Sequence, residues 1–326
     1  MHRETEVVVS LLETSLKAFI AQKQALGYKY IAEQESLRRF LRFAKTNEIA
    51  SVQLTKEIVD AYSKAHPHET PKSRANRISD LRQFTKYLNS NGVKAYIPAP
   101  AKKVKSDFTP YIFTREEIFN FILAADSIKP HSRYNCADVY PVLFRMLYGC
   151  GLRISEALDL RISDVSIDDS TVIIRNGKSN KSRLIVMAPS LTGACSDLKL
   201  KIHQTSIGSD FFFKNRDGSR RDKGTVYGQF RELLWISGIP YRGKGYGPRL
   251  HDIRHSFCCH SLRQMSNAGI DLYCALPVLS AYIGHSSISA TEKYLRLTEE
   301  FFPDIIARME NVYSQVYPEV YKVETD

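Results

Sequence analysis

Apolar residues recur at three- and four-residue spacing through the first hundred positions. Leu11, Leu12, Leu16, Phe19 and Ile20 form one stripe; Leu37, Phe40, Leu41 and Ala44 form a second; Ile78, Leu81, Phe84, Tyr87 and Leu88 form a third. That period is one face of an α-helix, and Gly27, Asn47 and the stretch from His66 to Pro71 interrupt it. The pattern predicts a four-helix domain over residues 1–97. Its outer faces are basic, with Arg74, Arg77, Arg82 and Lys86 along the last helix.

Pro98, Pro100, Lys102, Lys103 and Lys105 then lead to Pro110, a composition suited to an extended linker over residues 98–110. Thr114 with Glu117 three positions later is a capping-box pattern ahead of Ile118, Phe121 and Ile122, so a second, mainly helical domain opens here. One part of it reads as β. Thr171–Arg175 and Arg183–Met187 are β-branched runs separated by Asn176, Gly177, Lys178, Ser179, Asn180, Lys181 and Ser182, which predicts a hairpin with a basic tip. After position 298, Pro303 precedes Ile305, Ile306, Met309, Val312, Tyr313 and Val316, an apolar helical face. The fold class expected is mainly α with a small β-hairpin or sheet.

Composition narrows the function. The 326 residues carry 46 Lys and Arg against 35 Asp and Glu, a formal net charge of +11. The surplus is +9 over residues 1–106 and +7 over residues 107–297, while residues 298–326 hold −5. Positive charge spread over two domains suits a long polyanion touching both, because each neutralised phosphate releases counterions. Its plainer rival is solubility. No apolar run approaches the roughly 18 residues of a membrane span, and Met-His-Arg-Glu-Thr-Glu is too mixed in charge for a secretory signal. The six cysteines include no C-x-x-C pair and read as buried or incidental thiols. A cytoplasmic protein is expected, held at the nucleoid by its DNA.

Three clusters carry candidate chemistry. Gly-Cys-Gly-Leu-Arg-Ile-Ser-Glu, residues 149–156, sets Arg153 after a glycine break and Glu156 one helical turn later. Alone it reads as a surface arginine at a helix start. Pro-Arg-Leu-His-Asp-Ile-Arg-His-Ser-Phe, residues 248–257, puts His251 and Arg254 at i and i+3 on one helix face, able to bind one phosphate together. The competing reading is zinc, because His251, Asp252 and His255 imitate H-E-x-x-H. Asp is one methylene shorter than the Glu of that motif, and no third ligand is marked downstream. Ile-Gly-His, residues 283–285, is followed nine residues after His285 by Tyr294, by default a core tyrosine.

In the order Arg153, Lys178, His251, Arg254, His285, Tyr294, the sequence resembles the tyrosine recombinase family, also called the phage integrase family, and within it the Xer-like members. The resemblance rests on Gly-Leu-Arg-Ile-Ser-Glu, Gly-Lys-Ser-Asn-Lys-Ser-Arg, His-Asp-Ile-Arg-His-Ser-Phe, and Gly-His with Tyr nine residues on. It covers residues 111–300, and the first hundred match as a helical, basic core-binding domain of the SAM-like kind. A departure is Asp252, which places an acid beside His251 and would alter its pKa.

The resemblance implies a site-specific recombinase that cleaves and rejoins double-stranded DNA through a 3′-phosphotyrosyl intermediate. Residues 111–297 would be the catalytic domain. Tyr294 would be the nucleophile. Arg153 and Arg254 would clamp the non-bridging oxygens, since a guanidinium fork suits phosphate. Lys178 would protonate the 5′-oxygen, with Lys181 as the other choice. His251 would take and return the tyrosine proton, His285 would add a hydrogen bond to the phosphate, and Glu156 would orient Arg153 or His251. Arg74, Arg77, Arg82 and Lys86 would hold DNA. Neither ATP nor a metal is implied. The tail at 298–326 would dock on a neighbouring protomer and link a homotetramer on DNA, its alternative being to pack on its own domain. Two other functions use nearly the same residues: a type IB topoisomerase that relaxes DNA of any sequence as a monomer, and a DNA-binding regulator without catalysis.

Overall fold

The structure is a computed structural model. It describes residues 2–49, 51–102, 109–175, 182–241, 243 and 246–285, together with Thr291, Glu292, Tyr294 and Leu297. The hairpin tip with Lys178 and Lys181, residues 103–108 of the linker and the tail therefore lie outside the described residues. The chain divides into two compact units, Met1–Asp107 and Phe108–Asp326.

The first unit holds α1 (His2–Ala25), α2 (Ile31–Thr46), α3 (Lys56–Ser63) and α4 (Pro71–Ser90). Its core is made by the residues whose spacing marked the stripes: Leu12, Leu16, Phe19, Leu37, Phe40, Leu81, Phe84 and Leu88 are all buried. Leu11 is the exception and stays half exposed on the outer side of α1. Gly27 takes a φ of +87°, the left-handed turn that ends α1. Thr70 caps α4 through the Ser73 N–H, with Pro71 in the first turn where its missing N–H costs nothing.

The basic face expected on α4 needs correction at Arg77. Its side chain is buried, paired with Glu69 at 2.7 Å, and donates to the carbonyls of Tyr62 and Lys64. The chain leaving α3 has carbonyls without helical partners, and Arg77 satisfies them from inside. It is a brace of this unit and is withdrawn as a DNA contact. Arg82 is half-buried and donates to the Pro98 carbonyl. Arg74 bonds the Ser63 carbonyl at 2.9 Å but remains exposed, as does Lys86.

The second unit runs α5 (Arg115–Asp126), α6 (Cys136–Gly149), α7 (Ile154–Asp159), a 3-10 turn (Ile162–Asp164), β1 (Val165–Ser166), β2 (Thr171–Ile174), β3 (Arg183–Val186), α8 (Pro189–Ile202), α9 (Lys223–Ile236), α10 (Asp252–Asn267) and α11 (Leu272–Ile283). The capping box at Thr114 and Glu117 forms in both directions. β2 and β3 pair antiparallel from Thr171 opposite Val186 to Ile174 opposite Arg183, and β1 adds a short third strand to β2. The fold is thus mainly helical with a small antiparallel sheet. Val172, Ile174 and Ile185 bury one face of the sheet in a core shared with α5, α6 and α9, while Leu184 and Val186 face out.

A smaller core joins α10, α11 and the tyrosine segment: Cys258, Cys259, Leu262, Leu276, Leu279, Ile283, Tyr294 and Leu297. All six cysteines are free thiols, four of them buried. Among the described residues no helix is long and apolar enough to cross a membrane.

Candidate active site

Gly151 opens the site. It sits past α6 with a φ of +59°, and a Cβ there would strike the Phe257 ring of α10. Only glycine permits both the left-handed turn and that close approach. The turn delivers Arg153 to the N-cap of α7, where Glu156 reaches back to the Arg153 backbone N–H at 2.9 Å and to its Nη1 at 2.6 Å.

Glu156 also receives both terminal nitrogens of Arg183, at 3.1 and 2.8 Å, and lies 3.8 Å from Arg254 Nη1. Burial alone would raise its pKa. The bonds from Arg183 and the Arg153 backbone, with both guanidinium charges, overcome this and hold the pKa at about 2. One carboxylate therefore organises three guanidiniums.

The same three arginines meet the end of α11. Tyr282 O accepts from Arg183 Nε at 2.9 Å, Ile283 O from Arg254 Nη2 at 2.5 Å, and Gly284 O from Arg153 Nη2 at 3.3 Å. The last carbonyls of a helix lack intrahelical partners and carry its negative dipole end, so cations belong there. Gly284 has a φ of +68°, and a Cβ on it would come within 2.8 Å of Arg183 Nη1. Arg254 is 1% exposed and gives its Nη1 to Gly151 O at 2.6 Å. Its Nε has no protein partner among the described residues, which leaves a buried donor for a ligand oxygen.

His251 stands at the start of α10, exposed at the mouth of the site. Protein crowding around the ring, then the charges of Arg254, Arg153 and Arg249, lower its pKa to about 4. Asp252 does not act on it as expected. Its carboxylate is buried and turned to Arg249, accepting the backbone N–H at 2.8 Å and Nη2 at 3.2 Å. This pairing also removes the acid from the zinc reading, and among the described residues no group of three His, Cys, Asp or Glu is arranged to hold a metal ion.

Tyr294 is 3% exposed, and burial beside Cys258 pushes its pKa well up. His285 stacks on its ring at 5.9 Å and shares a hydrogen bond through Nδ1 with Thr291 Oγ1 at 2.9 Å. His255 Nδ1 lies 3.1 Å from the Tyr294 hydroxyl. The structure thus brings together Arg153, Glu156, His251, Arg254, His285 and Tyr294 from three separate stretches of sequence. It adds Arg183 and His255, which the sequence reading passed over as a strand residue and a would-be zinc ligand. Their signals were present: Arg183 closes the Gly-Lys-Ser-Asn-Lys-Ser-Arg run, and His255 lies at i+4 from His251.

Residues 112–300 match the Phage integrase family. The chain belongs to that family. It is 28% identical to the "Putative integrase/recombinase y4rB" of Sinorhizobium fredii over 93% of this chain and 98% of that protein. It is also 28% identical to a tyrosine recombinase of Pseudothermotoga lettingae, over 86% of this chain and 91% of the relative. Two solved structures share the fold. One is a XerH site-specific recombinase in a post-cleavage complex with palindromic difH substrate: TM-score 0.60, 19% identity, 81% of this chain and 74% of that chain. The other is a lambda integrase fragment bound as a dimer to a core site: TM-score 0.59, 16% identity, 87% of this chain and 94% of that chain.

Proposed function

We propose that this family member is a site-specific DNA recombinase whose Tyr294 hydroxyl attacks a phosphodiester and forms a 3′-phosphotyrosyl ester. The observation that carries the reading is a tyrosine hydroxyl bonded to a histidine inside a site built of three guanidiniums on one carboxylate and one helix end. Such a site offers net positive charge fixed in place before substrate arrives. Preorganised donors of this kind favour the extra charge of a five-coordinate phosphorus transition state over the ground state. Arg153 and Arg254 would hold the non-bridging oxygens, His251 and His285 would add hydrogen bonds to the phosphate, and Glu156 and Arg183 would keep the guanidiniums oriented.

The 5′-oxygen leaves with the electron pair of its bond to phosphorus and takes a proton from Lys178, or from Lys181 in its place. The ester keeps the energy of the broken phosphodiester, so rejoining needs no nucleotide co-substrate. Double-stranded DNA would be gripped through Arg74, Arg82 and Lys86 of the first unit and the basic hairpin of the second. Assembly as a tetramer through the tail is part of the proposal, as is action at the nucleoid.

The test is a pool of nicked duplexes with randomised arms, incubated with protein and resolved on denaturing gels. Wild-type protein forms a covalent DNA adduct and Tyr294→Phe does not; an adduct persisting in that variant removes the assignment. Relaxation of supercoiled plasmid of any sequence by the monomer would point instead to a topoisomerase.

A further inference from the structure

We propose that His255, in place of His251, accepts the hydroxyl proton of Tyr294 as that oxygen attacks DNA, and returns it on rejoining. This rests on the recombinase reading above and names a catalytic group that reading does not contain. A tyrosine with an ordinary pKa near 10 is a weak nucleophile at neutral pH unless a base stands on its hydroxyl. His255 Nδ1 stands there, at 3.1 Å from Oη, inside the reach that proton transfer requires. The two ring centroids are 5.4 Å apart. His251 is one ring further out: it meets His255 edge-on, with centroids 4.8 Å apart and planes at 86°, and opens to solvent.

Placement on α10 explains the division of labour. His251 and His255 are i and i+4 and share one face of the helix start. The outer residue lies beside Arg153 and Arg254, where a phosphate would bind; the inner one lies over the tyrosine. Burial, then the neighbouring His251, Arg249, Arg254 and His285, hold the His255 pKa at about 3, so the ring is neutral and its Nδ1 can accept when the proton sits on Nε2. Arrival of an anionic phosphate among the arginines offsets the part of this depression that their charges cause, and so raises the basicity of the ring as substrate binds. The Oη–P bond forms, the Tyr294 proton passes to Nδ1, and the P–O5′ bond breaks with its electron pair going to O5′, which is protonated by the lysine acid. Rejoining reverses each transfer.

The experiment uses the full-length protein and the nicked-duplex pool, with single-turnover adduct formation measured against pH for wild type, His255→Asn, His255→Ala and Tyr294→Phe. Asparagine can present its side-chain amide near the Nδ1 position but cannot carry a proton. The expected result is DNA binding equal to wild type, adduct formation slower by about 10²-fold or more at neutral pH, and a rate that climbs roughly tenfold per pH unit where wild type is flat. Added imidazole should restore part of the rate to His255→Ala. Wild-type rates in His255→Asn overturn the proposal, and faster rates would mean that the bond only stores the tyrosine. If neither variant folds, histidine nitrogen spectra of the wild-type protein decide, since a proton on His255 Nδ1 overturns the assignment. Absence of any Tyr294-dependent adduct from wild type removes the recombinase reading itself and this role with it, an outcome distinct from an active wild type with an unaffected His255 variant.

Discussion

Replacing Glu156 by Gln should loosen the whole catalytic site, and the size of the effect follows from the carboxylate's pKa. Glu156 is 7% exposed and receives four N–H groups, one from the Arg153 backbone, one from its side chain and two from Arg183. Its pKa falls from 4.5 to about 2. At about 1.4 kcal/mol per unit, ionised Glu156 contributes roughly 3 kcal/mol of stability at neutral pH. The sign is that of a depressed carboxylate: the contribution is complete above the unfolded value of 4.5 and fades as pH falls towards about 2. Near pH 3 about 1.4 kcal/mol remains by the same linkage. In the variant an amide NH₂ faces guanidinium donors, and three cations share a pocket with no anion, the situation in which breaking a buried pair costs roughly 3 to 5 kcal/mol. The assay is urea unfolding at several pH values, read by pulsed hydrogen exchange of α7 and α11 peptides so that the second unit is followed by itself. A difference between wild type and Glu156→Gln of about 3 kcal/mol at pH 7, shrinking towards pH 3, is expected. A difference that stays constant across that range, or one below about 0.5 kcal/mol at pH 7, would refute the account of Glu156 as the anchor of the arginines.

Arg77→Leu should unfold the first unit more easily by about 3 kcal/mol, since it strands the Glu69 carboxylate, whereas Lys86→Ala should leave stability alone and lower the slope of DNA affinity against salt by about one; thermal melts and binding titrations at several salt concentrations separate the two. Gly151→Ala should cost more than about 1 kcal/mol because alanine resists the left-handed φ and its Cβ meets Phe257, and a melt unchanged from wild type would count against the turn's role in seating Arg153. Arg254→Lys should slow adduct formation by about 10²-fold or more while leaving DNA affinity nearly unchanged, measured on the nicked duplexes. Lys178→Ala should be rescued by a substrate with sulfur at the 5′-bridging position, whose thiolate leaves without an acid; if only Lys181→Ala is rescued, the acid is Lys181.

The elements that were legible in the sequence are those whose signals are local. Three-and-four spacing marked the stripes of α1, α2 and α4, β-branched runs marked β2 and β3, and Thr114 with Glu117 marked the start of α5. The order of motifs also named five residues that the fold gathers at one place. The errors are equally specific. Arg77 carries the same charge as Lys86 and looks the same in a basic stripe; only the end of α3 beneath it, with carbonyls needing donors, draws it inside. Asp252 follows His251 in sequence, yet a helix turns consecutive side chains by about 100°, so it serves Arg249 instead.

What the sequence determined by itself is the class of chemistry: which side chains are present, in which local frames, and hence a basic, mainly helical protein with a tyrosine, arginines and histidines in family order. Tertiary structure decided which of them touch. The carbonyls of Tyr282, Ile283 and Gly284 receive arginines from β3, from α10 and from the start of α7 in that order, and the Tyr294 hydroxyl meets His255, 39 residues away in the chain. Those meetings depend on how α10 and α11 pack and where α11 ends, a property of the folded core that no local spacing records.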